Sequence, residues 1–182
     1  MEGLKGYQRN LIVAVVLAVL SFFWIWFYRS IGGAGYWAAL VAFAVYVASG
    51  SSARKLPWMV LGGVVGVVLG LVTFALGMLV FPPYAVISSA IAGVIFILIG
   101  GLISVPRLPD ILPMYLVGWA CFLGAMSQFD YLFLEKVVWA NLKATNTFFG
   151  VLLSVLVGLL FAALIATPLL GERPKPATPQ AG

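Results

Sequence analysis

Residues 57–80 read PWMVLGGVVGVVLGLVTFALGMLV, a run without a single charged side chain. An α-helix needs about 20 predominantly apolar residues to cross the hydrocarbon core of a bilayer, which is about 30 Å thick. This run is long enough, and its Pro57 stands at the first turn, where a helix tolerates proline. The rest of the chain is similar, because 64% of its residues are hydrophobic and only 8% are charged. The sequence therefore predicts an all-α integral membrane protein.

Five further apolar segments flank this run, so we expect six transmembrane helices within a membrane domain of residues 10–170. A short N-terminal tail, residues 1–9, precedes this domain. The proline-rich tail 171–182 follows it, and its lack of an apolar run predicts disorder. A five-span alternative, in which the fourth or fifth segment re-enters from one side, stays open. The predicted spans are Asn10–Tyr28, Gly35–Ser49, Pro57–Val80, Tyr84–Val105, Ile111–Ser127 and Thr147–Leu170.

The lysines and arginines are distributed unevenly between alternate loops. If the N-terminus lies inside, the inner segments hold seven of the ten cations and the outer segments hold three. Cytoplasmic loops are enriched in Lys and Arg, so both termini are predicted to be cytoplasmic. This placement also explains the net charge of +5 without a nucleic-acid partner. The inner cations are Lys5, Arg9, Arg54, Lys55, Arg107, Arg173 and Lys175, and the outer ones are Arg29, Lys136 and Lys143.

The longest connection between spans, residues 128–146, reads QFDYLFLEKVVWANLKATN. It is too polar to cross the membrane and too apolar for a free loop. An amphipathic helix lying in the outer interface fits this composition. Two interpretations stay open: a lid or collar over a pore, or a surface helix that only seals the fold.

Two ladders of small residues suggest an internal repeat. A small residue at every fourth position forms a smooth stripe, along which another helix backbone can approach closely in lipid. One ladder lies in the third span and the other in the sixth, and similar Trp-Ala pairs open the second and fifth spans. We therefore expect two three-helix halves, residues 8–80 and 84–170, inserted with inverted topology. The ladders comprise Gly62, Gly66 and Gly70, and Gly150, Ser154 and Gly158, and the pairs begin at Trp37 and Trp119.

Two stretches carry a resemblance to a known family. GYWAALVAFAVYVASGSSARKLPWMVLGGVVGVVLG (35–70) and LPMYLVGWACFLGAMSQFD (112–130) resemble the small uncharacterised inner-membrane proteins of the YcdZ type. That resemblance implies a compact bacterial inner-membrane protein, and it brings no substrate and no site residue. The long segment after Asp130 and the proline-rich tail depart from the family pattern.

The composition excludes several kinds of chemistry. There is no histidine, and Cys121 is the one cysteine. Histidine-ligated haem, zinc sites that need histidine, histidine-based acid–base catalysis and an internal disulfide are therefore excluded. We interpret Cys121 as a small buried hydrophobe. We expect no cofactor, no metal, no catalytic residue and no enzymatic activity.

What remains favours a membrane channel or facilitator for a small, neutral or weakly polar solute, because no predicted span interior contains an ionisable side chain. The path is expected between the two halves, along the second and fifth spans. The alternative is a non-transporting scaffold or accessory subunit of a larger membrane complex. Beyond the lipid bilayer, the expected partners are copies of this chain or subunits of such a complex. The candidate pore-lining residues are Trp37, Phe43, Trp119, Phe122, Ser127 and Gln128.

Overall fold

The fold is taken from a computed structural model that describes residues 2–33, 35–80, 85–102, 108–126 and 147–170. These residues form six helices and no β-strand, which confirms the predicted all-helical class. The last helix continues through a π-helical turn at Ala162–Ala166 into a final turn at Thr167–Leu170, and a 3₁₀ turn at Ala53–Lys55 precedes the third. The helices are α1 (Glu2–Ser30), α2 (Ala38–Ala48), α3 (Leu56–Val80), α4 (Ala85–Leu102), α5 (Leu108–Met126) and α6 (Thr147–Phe161).

Several helices have the length and composition that a membrane span requires. Four apolar stretches qualify: Leu11–Ser30, Ala53–Val80, Leu108–Met126 and Thr147–Ala166. Two others are apolar but shorter, Ala38–Ala48 and Ile87–Ile99. The described part of the chain thus has the helices expected of an integral membrane protein.

The second helix is shorter than predicted. It has 11 residues, which corresponds to about 16 Å at 1.5 Å per residue. The backbone adopts positive φ angles on both sides, at Gly32 and Gly35 before the helix and at Gly50 and Ser51 after it. Glycine adopts such angles readily, whereas a serine does so rarely. These turns end the helix although its flanks are still apolar or neutral.

Other helix boundaries also differ from the predicted spans, for identifiable reasons. The first helix begins at Glu2, so most of the segment predicted as a tail continues α1. The fifth begins at Leu108 and includes Pro109 and Pro113. A proline in the first turn loses no intrahelical bond, while Pro113 removes one. The predicted segments 128–146 and 171–182 lie outside the described residues.

The helices pack in two parallel pairs. In the first pair, α3 and α5 run in the same direction, because Gly62 meets Ile111 and Gly70 meets Phe122. We call the end of the bundle at which these two helices begin the Lys55 end.

In the second pair, α2 and α6 also run in the same direction. Gly35 meets Val151, and the hydroxyls of Tyr46 and Thr167 are 2.7 Å apart. This pair begins at the opposite end, which we call the Tyr28 end. Helix α4 packs mainly on α3, while α1 is peripheral.

Candidate functional site

The α3–α5 crossing brings two backbones into direct contact. A Cβ atom on Gly62 would collide with the carbonyl oxygen of Ile111, and one on Gly66 with that of Tyr115. The contact is reciprocal, because a Cβ on Gly118 of α5 would collide with the carbonyl oxygen of Gly63 in α3. Small residues on both helices therefore permit this approach.

The α2–α6 crossing has one such contact. A Cβ on Gly158 would collide with the carbonyl oxygen of Ala39 and lie 2.7 Å from its Cα. The other two members of the ladder, Gly150 and Ser154, are also buried. There α6 meets α1, because the Tyr28 hydroxyl donates a hydrogen bond of 2.8 Å to the Gly150 carbonyl oxygen.

Polar groups gather where α3, α4 and α5 meet. The hydroxyl oxygens of Thr73 and Ser89 are 2.6 Å apart. Thr73 uses its one hydrogen toward the Leu69 carbonyl oxygen, at 2.7 Å, so Ser89 donates to Thr73. One helical turn later, α4 presents Gly93 on the same face.

The aromatic rings of α5 cover Gly93. The Tyr115 hydroxyl donates to its carbonyl oxygen across a long 3.5 Å bond. The indole of Trp119 lies against the Gly93 backbone, where a Cβ would collide with Cε2 and Cζ2 of the ring. The rings of Tyr115 and Trp119 are stacked with their centroids 6.5 Å apart. We call Thr73, Ser89, Gly93, Tyr115 and Trp119 the α4 cluster.

Polar contacts also close the Lys55 end. The Lys55 Nζ atom lies 3.7 Å from an Asp110 carboxylate oxygen and donates to the Ser49 carbonyl oxygen at 3.4 Å. These contacts join the C-terminus of α2 to the 3₁₀ turn before α3 and to the first turn of α5. The Tyr46–Thr167 hydroxyl contact links α2 to the end of α6 at this level.

The structure does not bring the four described pore-lining candidates to one place. Trp37 packs against Gly124 of α5, whereas Trp119 faces α4. Gly124 and Trp119 are five residues apart, which is about 140° around a helix. Phe43 faces α1 and α6 across a small cavity.

The fourth candidate, Phe122, is fully buried. It lies against Gly70, where a Cβ would stand 2.9 Å from its Cδ1 atom, and its ring centroid is 6.4 Å from that of Phe148. The remaining candidates, Ser127 and Gln128, lie outside the described residues.

The packed interior leaves little open volume. The cavity beside Phe43 measures about 10 Å³, which barely accommodates one water. A larger cleft of about 170 Å³ lies between α3, α4 and α5. Within the described ranges, no three His, Cys, Asp or Glu residues are grouped as metal ligands would be, and Cys121 is buried.

The α4 cluster was not anticipated as a unit. Thr73 and Ser89 are ordinary hydroxyls of apolar spans, and Tyr115 and Gly93 carry no motif. One available signal was the spacing Ser89-xxx-Gly93, which places two small residues on one face of α4. That signal indicates a close neighbour but does not identify it.

The chain belongs to the family described as "Protein of unknown function (DUF1097)", whose profile matches residues 14–168. No curated protein and no solved structure matches the chain. Membership in this family therefore brings no activity to the chain.

Proposed function

We propose that this protein is a membrane channel or facilitator for a small, neutral or weakly polar solute. The observation that carries the proposal is the exchange of helices between the two halves of the chain. The third helix of each half packs in parallel on the second helix of the other half. Inverted three-helix repeats related in this way are a common plan of transporters, with the substrate path at the interface between repeats.

The two pairings also agree in register. If Trp37 corresponds to Trp119, then Ala39 corresponds to Cys121, the neighbour of Phe122. Gly158 meets Ala39, and Gly70 meets Phe122. Gly70 and Gly158 are the last members of their ladders, although they lie 88 residues apart and the two tryptophans lie 82 residues apart. Each crossing thus brings the last glycine of a ladder against a residue two or three positions after a matched tryptophan, which supports two inverted repeats of about residues 8–80 and 84–170.

The direction of the helices favours six spans. Because α3 and α5 both begin at the Lys55 end and only α4 connects them, α4 has to run back across the bundle. The chain alternates in this way from α1 to α6, although α2 and α4 are short. Together with the cation bias, these directions support a cytoplasmic Lys55 end and cytoplasmic termini. We assign the protein to a bacterial inner membrane, in keeping with the resemblance to the YcdZ type.

The positions of the charged side chains limit which kinds of solute the protein could carry. Among the side chains that the structure describes, the charged ones stand at helix ends. Ionisable groups within spans normally mark ion and proton pathways. Hydroxyl and indole groups line the interior instead, and they suit a neutral solute better than an ion. These charged side chains are Arg29, Arg54, Lys55 and Asp110.

A second candidate, a non-transporting subunit of a larger membrane complex, is favoured by the packing density. The predicted path along α2 and α5 is filled by Trp37 and Phe122, and the cavity beside Phe43 is small. Transport requires the two halves to separate, whereas a scaffold needs no such movement. Neither candidate includes an enzymatic step.

Solute swelling of proteoliposomes separates the two functions. We expect the reconstituted protein to accelerate swelling in small neutral solutes and not in matched salts. The variant Phe43→Ala with Phe122→Ala should raise the flux or broaden its selectivity if these rings constrict the path. The control is lipid-facing Phe23→Ala, because Phe23 is 57% exposed. If vesicles that contain the folded parent protein never swell faster than empty vesicles, the facilitator is excluded and the subunit of a larger complex remains.

Two further measurements address the assembly. Impermeant thiol labelling of Lys55→Cys and Lys143→Cys, both in a Cys121→Ala background, should mark only Lys143→Cys from outside. Labelling of Lys55→Cys instead would reverse the orientation. A facilitator is expected to purify as a stable homo-oligomer, and a scaffold to depend on heterologous partners.

A further inference from the structure

We propose that the cleft between α3, α4 and α5 holds one acyl chain of an anionic phospholipid, whose phosphate group binds Arg54. This site lies on the outer surface of the bundle. Lipid binding there does not require that the protein transports a solute.

The cleft exists because α4 packs closely on α3 and only slightly on α5. A space of about 170 Å³ remains between the three helices. Its walls are apolar side chains apart from Tyr115, whose hydroxyl is bonded to the Gly93 carbonyl oxygen. A cavity of about 150 Å³ with apolar walls holds a benzene molecule, so the cleft has room for a segment of about six carbon atoms. The walls comprise Val65 and Leu69 of α3, Phe96 and Ile97 of α4, and four residues of α5 between Leu108 and Tyr115.

The mouth of the cleft opens to the outside of the bundle. Val65 and Phe96 line the cleft and are 37% and 44% exposed. Within a membrane span, exposed side chains at this depth meet acyl chains rather than water. An apolar cleft that opens toward acyl chains favours hydrocarbon as its occupant.

One end of the cleft lies at the Lys55 end of the bundle. Leu108 lines the cleft and is the first residue of α5. Two residues later, a carboxylate oxygen of Asp110 lies 3.7 Å from Lys55 Nζ. Arg54 immediately precedes Lys55 in the 3₁₀ turn. The cleft therefore ends close to the turn that carries Arg54.

Arg54 is the cation available to a phosphate group at this place. Lys55 already contacts Asp110 and the Ser49 carbonyl oxygen. Arg54 is exposed and forms no ion pair with the residues that the structure describes. A guanidinium group carries several donors in a planar fork that matches phosphate oxygens. The net positive charge of Arg54, Lys55 and Asp110 favours an anionic headgroup over a zwitterionic one.

The separation of Arg54 from the cleft matches the thickness of one leaflet. Arg54 precedes Val65 by 11 residues, which corresponds to about 16 Å along a helix. One leaflet is about 20–22 Å thick, of which about 15 Å is hydrocarbon. A phosphate group at Arg54 thus places the second half of an acyl chain beside Val65. Between them, Trp58 lies on the same side of α3 as Val65, at the interfacial level that tryptophan favours.

Native mass spectrometry of the delipidated full chain tests the headgroup. Phosphatidylglycerol and phosphatidylcholine with identical acyl chains are titrated in parallel, and we expect one phosphatidylglycerol molecule to bind more tightly. Arg54→Gln should weaken phosphatidylglycerol binding about fivefold, the effect of one basic residue at a membrane surface, and leave phosphatidylcholine binding unchanged. The matched control is Arg29→Gln, which removes an exposed arginine at the Tyr28 end. Equal affinity of the parent and Arg54→Gln for phosphatidylglycerol overturns the proposal.

A photoreactive phosphatidylglycerol tests the position of the acyl chain. The lipid carries a diazirine in the second half of one chain and is present as a minor component of phosphatidylcholine nanodiscs. We expect attachment to Phe96 and Ile97 that excess unlabelled phosphatidylglycerol suppresses. Attachment to Leu98, which is 61% exposed and lies outside the cleft, should not be suppressed. If attachment to the cleft is suppressed no more than attachment to Leu98, the cleft holds no specific lipid.

Two matched valine variants separate the cleft from the rest of the lipid-facing surface. Val65→Phe narrows the cleft and should remove the suppressible attachment to Phe96 and Ile97. Val68→Phe should leave it intact, because Val68 is 39% exposed on the same helix and lies outside the cleft. An equal response to the two variants contradicts the proposed location.

A second copy of this chain is the other occupant that these measurements can reveal. A lipid-free dimer that Val65→Phe dissociates and Val68→Phe does not would assign the cleft to the second copy and overturn the proposal. The swelling assay gives an independent result. A specific lipid site in a protein without flux leaves this proposal standing and removes the facilitator.

Discussion

The α3–α5 and α2–α6 crossings each hold two parallel helices together, but the contacts that hold them differ. Between α3 and α5, small residues of both helices touch the partner backbone, and both helices are long. Between α2 and α6, one glycine makes the close contact, and the shorter helix is bounded at both ends by left-handed turns. Its far end is held by the Tyr46–Thr167 hydroxyl contact rather than by backbone packing.

This difference indicates where the bundle is stiff and where it can adjust. Closely packed backbones have no side chain that could change rotamer to relieve strain. A short helix between two turns can shift as a unit, because the turns absorb changes in φ and ψ. If a path opens between the halves during transport, we expect it on the side of α2, while the α3–α5 crossing stays closed.

The largest effect is expected at the stiff crossing. Gly118→Leu or Gly66→Leu places a branched side chain where a backbone carbonyl lies, and we expect a loss of more than about 3 kcal/mol or no folded protein. The matched control is Ala120→Leu, two residues from Gly118 and exposed. Unfolding in mixed micelles measures both. Equal stability of the Gly118 and Ala120 variants would show that the crossing is absent.

A smaller loss of stability is expected at the α2–α6 crossing, which can adjust. Gly158→Leu also meets backbone, but α2 can move away, so we expect about 1–3 kcal/mol and a folded protein. Ala44→Leu, on the exposed face of α2, is the control. A loss at Gly158 as large as that at Gly66 would contradict the proposed difference in stiffness.

The Tyr46–Thr167 hydroxyl contact at the end of α2 should contribute less to stability than the glycine contact of either crossing. A double-mutant cycle of Tyr46→Phe and Thr167→Val measures its coupling energy, which we expect near 0.6 and below about 1.7 kcal/mol, as for other hydrogen bonds between membrane helices. The cycle is required because Thr167 can turn to its own backbone when Tyr46 is changed. A coupling energy of zero would leave the α2 end held by apolar packing.

The smallest effect is expected for the ion pair at the Lys55 end. Lys55 is 42% exposed, and exposed ion pairs typically contribute about 0.2–1 kcal/mol. A cycle of Lys55→Ala and Asp110→Ala should give a coupling energy in this range that falls between low and high salt. A coupling energy that salt leaves unchanged would place the pair away from water.

The sequence predicted the helical class and the apolar stretches well, because length and hydrophobicity determine them. The span from Pro57 to Val80 agrees with α3 within one residue. The end of the second span, predicted at Ser49, agrees with α2 within one residue, whereas its start was predicted three residues too early, at Gly35. The start could not be predicted, because it depends on the left-handed backbone at Gly35 rather than on polarity. Sequence also left open which helix each ladder meets, since a stripe of small residues fits any neighbour.

The candidate site was harder to predict for a related reason. The direction of a side chain around a helix depends on how the helix is rotated in the bundle. Trp37 and Trp119 look equivalent in sequence, yet one faces α5 and the other faces α4. Trp119 also differs from Trp37 because its ring lies against Gly93, where its buried Nε1 atom has no hydrogen-bond partner among the described residues.

The π-helical turn at Ala162–Ala166 has a geometric consequence for the ladder of α6. Residues four apart on an α-helix are separated by about 400°, so such a ladder precesses by about 40° at each step. In α3 the sequence corrects this precession, because its buried positions change from steps of four to a step of three between Gly70 and Thr73. In α6 the step of four continues to Ala166, and the wider turn, which holds more residues, compensates instead. The angular drift of the ladder is thus offset in α3 by a three-residue step in the sequence, and in α6 by the wider π-helical turn.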